Sequence, residues 1–509
     1  MNSPHRLIDY IEALRSAGLL TDAPRGDIQD RFVSSAVFDS REVEQDSLFV
    51  CKGEAFREEY LASAFERGAL CCVSETVRGE YPCIVVSDVR KAMAVIANVE
   101  NDEAWRAFPL VGITGTKGKS TTTYYIKSIA EAYTAAGGLP PFAYISTIET
   151  FDGVESFESH LTTPEALELG RRFSHAKEAG VGAMIMEVSS QGLKYNRSDG
   201  VGFDIACFLN FGTDHIGCTE HSDEEDYFNS KLLLFNQCKT LVVNLDTYRL
   251  KDVLAAASRS ESVERLVCFS ASGAESAEGA AADYIASNVR KEDGNIKFEL
   301  MAASETGFEK LCDISLSMPG LFNVENAMAA AIICILLDIP LEYIAAGLKD
   351  ASAPGRMEHF RSDAKDIDVI VDYAHNELSF KRLFSSLKEE YPGRRLEVVF
   401  GCPGGKGLQR RQILPAVAAE FCDFAWITEE DPGFEDVEEI SSQLLANLKA
   451  AGGEGRVITD RQLCIKTAME SAAPGTVLVL AAKGREGYMK RGDKYVSVLS
   501  DVDVAEKYL

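Results

Sequence analysis

The sequence predicts an α/β protein of more than one domain with mostly parallel sheets. Three observations carry this. At 509 residues the chain is too long for a single compact core, so about two to four domains are expected. Short apolar runs alternate with helix-like stretches, as in repeated strand–helix–strand units. Glycine-rich and charged clusters follow those runs directly, and a parallel sheet collects such clusters along one edge.

Taken in order, the opening stretch MNSPHRLIDYIEALRSAG mixes apolar and charged residues as an amphipathic helix does, and it lacks the apolar centre of a signal peptide. Up to about residue 105, β-like runs at Ala36–Asp39, Ser47–Cys51, Cys71–Ser74 and Cys83–Ser87 are separated by helical stretches such as Tyr60–Gly68, which describes a small α/β domain. Asp39, Ser40 and Arg41 close the first run. A hydroxyl beside a guanidinium at a strand end suits a phosphate or a nucleotide edge, and it equally suits a turn with a surface ion pair.

A second domain opens with Phe108–Thr114 as a strand that runs into Val111–Thr122, VGITGTKGKSTT, and then a helix from Ser120 to about Tyr133. The glycines at 112, 115 and 118 let the backbone turn its N–H groups inward, Lys119 supplies charge for outer phosphates, and Ser120 offers a magnesium ligand. The spacing is G-x-x-G-x-x-G-K-S rather than the usual G-x-x-x-x-G-K-[ST], with Ile113 where the first glycine belongs. Strand-like Ala183–Met186 ends at Glu187, and strand-like Ile205–Asn210 leads to Thr213, Asp214 and His215. Groups beyond the carboxyl ends of parallel strands converge, so Glu187 and His215 are expected to face the same metal and phosphates.

Between them, His160-Leu-Thr-Thr-Pro164 places hydroxyls before a helix-opening proline. Acidic Asp223–Asp226 leads into Tyr227–Phe235, where composition alone makes Lys231 a lysine on an amphipathic helix. Residues 258–310, polar and rich in alanine and serine with strand-like Ile296–Met301, are expected to form a peripheral hairpin region. Pro319–Asn326 then opens a long alanine-rich helix, and its paired asparagines are either caps or readers of an adenine edge.

From about residue 355 the strand–helix alternation resumes. Ile367–Val371, Leu396–Phe400, Phe424–Thr428 and Val477–Ala482 read as strands, followed respectively by Asp372–Asn376, Gly401–Gly407, Glu429–Pro432 and Lys483–Glu486. This predicts a doubly wound sheet with its charged clusters on one edge.

Composition narrows the function. A formal charge of -27 argues against a nucleic-acid or anionic-membrane surface, so any bound phosphate needs local basic groups. Thirteen scattered cysteines without C-x-x-C or Cys/His zinc spacing read as small buried residues of a reducing compartment. The longest apolar run, Ala327–Leu337, is too short to span a bilayer, and a cytoplasmic protein is expected.

These strings together resemble the Mur ligases, and within them the branch that adds the third amino acid to UDP-N-acetylmuramoyl-L-alanyl-D-glutamate. The likeness runs in one order through Asp39–Arg41, Gly115–Ser120, Thr162–Pro164, Met186–Ser190, Tyr227–Phe235, Phe322–Asn326, Pro354–Glu358, Asp372–His375, Gly401-Cys402 and Lys483-Gly484. It implies a UDP-substrate domain at 1–105, a central ATPase domain at 106–353 and a Rossmann-like amino-acid domain at 354–509. It implies an ATP- and Mg2+-dependent amide ligase working through an acyl-phosphate, and a monomer with no nucleic-acid partner is expected. Lys119, Glu187, His215 and Lys231 are the implied catalytic set; Ser120 and Glu187 would hold one magnesium, and His215 and a carbamylated Lys231 the other.

By the same resemblance Gly115, Thr116, Lys117, Gly118, Lys119, Ser120 and Thr121, with Asn323, Asn326, Arg356, Asp372 and His375, would bind ATP. Ser40, Thr162, Thr163, Ser189 and Arg197 would bind the UDP-linked substrate. Arg411 would take the α-carboxylate of the amino acid and Glu486 an ammonium. Ligases of this family specific for meso-diaminopimelate carry D-N-P-R where this chain has Glu430-Asp431-Pro432-Gly433, so the arginine is absent. A second carboxylate would meet Glu430 and Asp431 with no cation beside them, at a cost of several kcal/mol, roughly. An ammonium would gain charge-assisted hydrogen bonds of about 1.5–3 kcal/mol each. The expectation is therefore L-lysine, with ornithine next, and meso-diaminopimelate or a non-ligating nucleotide-binding relative as the alternatives. Arg57–Glu59, Gly404–Gly407 and Arg485 depart from the family strings at the substrate-recognition ends.

Overall fold

The computed structural model describes residues 5–53, 56–137, 140–159, 161–212, 221–276 and 278–509. His215, with Thr213 and Asp214, lies outside the described residues, as does His160.

Among the described residues, the first sheet has five strands in the order Leu20–Asp22, Cys83–Val86, Cys71–Ser74, Leu48–Val50, Ala36–Val37, all parallel except the first pair. Helices Leu7–Ser16 and Val89–Glu100 pack on one face and Glu58–Glu66 on the other, which is why Cys71–Ser74 is buried throughout. Each of these helices presents an apolar stripe, as with Leu7, Tyr10, Ile11 and Leu14.

The large central sheet is mixed. Its parallel part runs Arg265–Ser270, Cys238–Asn244, Phe203–Phe208, Leu110–Thr114, Met184–Glu187, Ala143–Ile145, with short antiparallel strands Glu149–Phe151 and Ser156–Glu158 at one edge. The hairpin expected within 258–310 is present, as Tyr284–Glu292 paired with Asn295–Ser304, and belongs to a larger arrangement. Arg265–Ser270 is a parallel strand of the main sheet, and Tyr284–Glu292, Asn295–Ser304 and Gly307–Leu316 form an antiparallel meander that extends it. Ile296, Phe298 and Leu300 alternate inward to the core while the residues between them are less buried, in keeping with the strand-like reading of Ile296–Met301.

The core of this region is helix Asn323–Leu336, whose alanines 327 and 329–331 are fully buried against the sheet and helix Lys119–Ala135. The third sheet has the order Glu358–Ser362, Ile367–Asp372, Thr476–Ala481, Arg395–Phe400, Phe424–Ile427, Gly455–Val457, parallel except for the first strand. The clusters at 372–376, 401–407, 428–431 and 482–486 all follow the carboxyl ends of its parallel strands, as the alternation predicts. No helix among the described residues is long and apolar enough to cross a membrane. The 12 described cysteines are unbridged, and most are buried.

Candidate active site

The central strand Leu110–Thr114, apolar and fully buried, delivers Gly115 to the sheet edge, and helix Lys119–Ala135 starts four residues later. Gly118 sits at φ +90°, and a Cβ there would fall 2.2 Å from Asn326 Oδ1, so only glycine lets the loop lie against the asparagine helix. Lys117 N donates to Asn210 Oδ1 at 2.9 Å, and Asn210 Nδ2 donates back to Lys117 O at 3.0 Å, which pins the loop to the end of the neighbouring strand. Lys119 Nζ donates to Gly115 O at 2.9 Å.

One cleft gathers most of the residues singled out from sequence. Thr116, Lys117, Gly118, Lys119, Ser120 and Thr121 form its floor. Thr162, Glu187, Ser189, Arg197 and Lys231 make one wall. Asn326 from the asparagine helix and Arg356, Asp372 and His375 from the third sheet face them. Asn323 is fully buried one turn before Asn326 and accepts its Nδ2 at 3.0 Å.

Glu187 is fully buried at the end of Met184–Glu187. Its carboxylate accepts from Thr147 N at 2.9 Å and Thr147 Oγ1 at 3.0 Å, and Thr147 Oγ1 is 3.0 Å from Thr162 Oγ1. Thr147 was missed by sequence reasoning, although it too follows a strand of the same sheet, Ala143–Ile145. Thr163 Oγ1 donates to Glu187 O and accepts from Ser189 N, so the Thr-Thr-Pro turn and the Glu187 strand end are one hydrogen-bonded unit.

Lys231 lies in helix Glu224–Leu232, which Asp223 caps through Asp226 N at 2.8 Å. The acidic run is therefore a helix start, and it turns Lys231 inward. That lysine is 1% exposed, with Nζ 3.0 Å from Gly115 O and 4.4 Å from the Tyr227 ring centre. His221, also missed, is buried with Nε2 2.9 Å from Ser190 Oγ and Nδ1 3.4 Å from Asp226; burial pushes its pKa down. A histidine between a strand end and an acidic helix start was the available signal.

The donors suit a hard divalent cation. Ser120 and Glu187 present hydroxyl and carboxylate oxygens to the same cleft, where magnesium prefers oxygen ligands.

Asp372 accepts from Met357 N and Ala374 N, and its burial raises its pKa while Arg356 opposes the rise. Arg356 lies 4.5 Å over the Tyr373 ring, and His375 Nδ1 is 2.7 Å from Tyr373 O. Tyr373 OH donates to Glu486 at 2.6 Å and so connects the cleft to a second cluster.

That cluster contains Glu430, Asp431 and Glu486, outside the main cleft. Here the structure corrects the expectation of an acidic site without a cation: Lys483 Nζ contacts Asp431 at 3.0 Å and Glu486 at 2.5 Å. Lys483 follows Thr476–Ala481, the strand next to the one before Asp431 but one, so only the sheet order brings it there. Glu430 differs from the other two. It is buried, its Oε2 has no hydrogen-bond partner among the described residues, and desolvation pushes its pKa up to about 7 despite the Arg461 charge. Arg411 is buried in a network of its own, donating to Glu435 at 2.8 Å, Pro403 O at 3.2 Å and Gln443 at 3.2 Å.

At the other end, Ser40 is buried after strand Ala36–Val37 and does not line the cleft. The neighbouring Arg41 pairs with Asp39 at 2.5 Å, the surface-ion-pair alternative. Arg197 Nη1 donates to Thr163 O at 3.0 Å, and its Nη2 meets Glu165 at 3.0 Å; Glu165 also holds Lys52 of the first sheet at 2.8 Å.

Known proteins resemble this chain over most of its length. The family described as Mur ligase middle domain matches residues 113–334, and the one described as Mur ligase, glutamate ligase domain matches residues 355–484. The UDP-N-acetylmuramyl-tripeptide synthetase of Latilactobacillus sakei subsp. sakei (strain 23K) is 37% identical over 466 residues, 90% of each chain. The UDP-N-acetylmuramoyl-L-alanyl-D-glutamate--L-lysine ligase of Enterococcus faecalis (strain ATCC 700802 / V583) is 34% identical, over 94% of this chain and 92% of that one. Among solved structures, a UDP-N-acetylmuramoyl-L-alanyl-D-glutamate--2,6-diaminopimelate ligase superposes with a TM-score of 0.66 at 24% identity, covering 99% of this chain and 98% of that one. At that identity the likeness speaks for the fold.

Proposed function

The chain belongs to the Mur ligase family, whose members are ATP-dependent ligases that extend UDP-N-acetylmuramoyl peptides, and from this premise we propose that it joins L-lysine to the D-glutamate of UDP-N-acetylmuramoyl-L-alanyl-D-glutamate. The proposed division of labour is a UDP-substrate domain at 1–105, an ATPase domain at 106–353 and an amino-acid domain at 354–509.

A carboxylate is a poor electrophile, so the D-glutamate carboxyl must first receive the γ-phosphoryl of ATP; the amine then displaces phosphate. Both steps gather negative charge. In this reading Lys119 and the amides of Gly115–Thr121 hold the phosphates, while Asn323, Asn326, Arg356, Asp372 and His375 hold the rest of the nucleotide. Ser120, Glu187, His215 and Lys231 would hold magnesium, which supplies charge neutralisation when bound. Thr147 keeps the Glu187 carboxylate aimed. Thr162, Thr163, Ser189, Arg197 and Ser40 would position the acceptor, so that its carboxyl meets the phosphate end of the cleft.

The observation that favours lysine is Glu430, a buried acid with one unsatisfied oxygen beside a position where Gly433 provides no guanidinium. Asp431 and Glu486 share Lys483, whereas Glu430 Oε2 has no hydrogen-bond partner among the described residues, so Glu430 is the carboxyl with most to gain from an incoming ammonium. The name of the Enterococcus faecalis relative, a lysine ligase, supports the same choice. The test is phosphate release from ATP with magnesium and UDP-muramoyl-dipeptide, with lysine, ornithine or meso-diaminopimelate offered in turn. Lysine should give the largest kcat/KM; a preference for diaminopimelate would overturn the assignment, and hydrolysis independent of the dipeptide would overturn the ligase reading of the site.

A further inference from the structure

Helix Glu377–Glu390 begins at the cleft, where Ser379 and Arg382 line it, and ends far from it at Glu390. Glu390 is 7% exposed. Its Oε1 accepts from Gly320 N at 2.7 Å, Leu321 N at 3.1 Å and Ser386 Oγ at 2.8 Å. Ser386 Oγ also lies 2.5 Å from Leu321 N. The other oxygen faces Lys291 Nζ at 3.6 Å, a lysine of the antiparallel meander that also sits 3.6 Å over the Tyr391 ring. One carboxylate thus ties together the third sheet's first helix, the meander and the turn before the asparagine helix.

That turn continues into the nucleotide end of the cleft. Gly320 stands at φ +99°, and its carbonyl accepts from Asn323 N at 2.7 Å while Pro319 O accepts from Asn323 Nδ2 at 2.7 Å. Asn323 Oδ1 accepts from Asn326 Nδ2, and Asn326 leaves no room for a side chain at Gly118 of the phosphate loop. We infer that Glu390 is a positioning residue for ATP: by capping the Gly320 and Leu321 amides from a neighbouring domain it holds the turn that sets Asn323 and Asn326 against the phosphate loop. This rests on the reading of the cleft as the ATP site. A buried carboxylate accepting two amide N–H groups is a strong cap; without it the Gly320 amide loses its partner in a buried setting and the Leu321 amide keeps only Ser386 Oγ.

The experiment uses the full-length chain as wild type, Glu390→Ala, Glu390→Gln and Ser386→Ala. It measures the ATP Kd, the KM for ATP and for the amino acid, kcat, and amide hydrogen exchange across residues 319–322. Glu390→Ala is expected to speed exchange at Gly320 and Leu321 and to raise the Kd and KM for ATP about fivefold or more, with the amino-acid KM unchanged. Glu390→Gln should restore most of the ATP affinity, because an amide oxygen still accepts both N–H groups. Folded Glu390→Ala with faster exchange and ATP affinity within about twofold of wild type would overturn the inference. If Glu390→Ala does not fold, Ser386→Ala decides: a smaller rise in the ATP Kd with faster exchange supports it, and unchanged ATP affinity with faster exchange overturns it. A wild-type chain that does not bind ATP would instead sink the functional reading, and this inference with it.

Discussion

Lys119 and Lys231 converge on one acceptor: their Nζ atoms lie 2.9 and 3.0 Å from the carbonyl oxygen of Gly115. Two ammonium groups on one carbonyl repel each other in a buried setting, and Lys231 is 1% exposed. Conversion of Lys231 to a carbamate would replace that repulsion with attraction and add an oxygen donor for magnesium. Intact-protein mass spectrometry under bicarbonate, followed by peptide mapping, should locate one added CO2 on Lys231. Activity of Lys231→Ala equal to wild type would remove the residue from the mechanism.

Lys119 has a different expected role. Lys119→Ala should lower kcat by about a thousandfold or more, in keeping with loss of a phosphate-binding charge in phosphoryl transfer, while the thermal midpoint stays within a few degrees, roughly, of wild type. Turnover near the wild-type level would exclude the loop from the chemistry.

Gly433 is the position for redirecting specificity. It sits at φ +60°, and a Cβ there would meet only Gly404 O in ordinary contact at 3.9 Å, so Gly433→Arg fits sterically but costs about 1–2 kcal/mol of backbone strain. Paired with Asp431→Asn, it should shift the ratio of kcat/KM values from lysine toward diaminopimelate. An unchanged ratio in the folded double variant would count against the argument from charge at this cluster.

Glu430 makes the protein's stability depend on pH. Its carboxyl titrates near the ordinary 4.5 when unfolded and at about 7 when folded. Between those values the folded chain binds the extra proton, so this group's contribution weakens as pH rises through the window, by about 3 kcal/mol in all. Urea unfolding should therefore show Glu430→Gln gaining stability relative to wild type between about pH 5 and pH 8. A constant difference across that range would mean Glu430 is ionised at low pH after all. Lysine, by supplying an ammonium, should stabilise wild type more than Glu430→Gln.

Arg461 holds the backbone around that acid. Its guanidinium donates to Asp501 at 2.7 and 2.6 Å, to Ala481 O at 2.6 Å and to Glu429 O at 3.3 Å, and so joins two strand ends next to Glu430, Asp431 and Lys483. Arg461→Ala leaves Asp501 buried and unpaired and should cost about 3–5 kcal/mol in urea unfolding. A loss below about 1 kcal/mol would show the pair to be solvated in solution.

Much of the cleft was legible in sequence because its residues follow strands, and strand ends in parallel sheets converge whatever their separation along the chain. The glycine loop, Glu187 and Asp372 were found that way. Thr147 escaped because Ala143–Ile145 is only three residues long and gives too short an apolar run to mark a strand. His221 and Glu390 escaped because each acts through a partner from another element, Ser190 in one case and the Gly320 turn in the other.

By itself the sequence determined the alternation of strands and helices, the glycine loop and the family, since these depend on local spacing and on strings of neighbouring residues. Tertiary structure alone decided where the charges balance. It set Lys483 between Asp431 and Glu486, left Glu430 without such a partner, and placed Arg411 with Glu435. The reason is physical: charge pairing and desolvation depend on distances of a few ångströms between side chains far apart in the chain, and strand order, which no local pattern encodes, sets those distances.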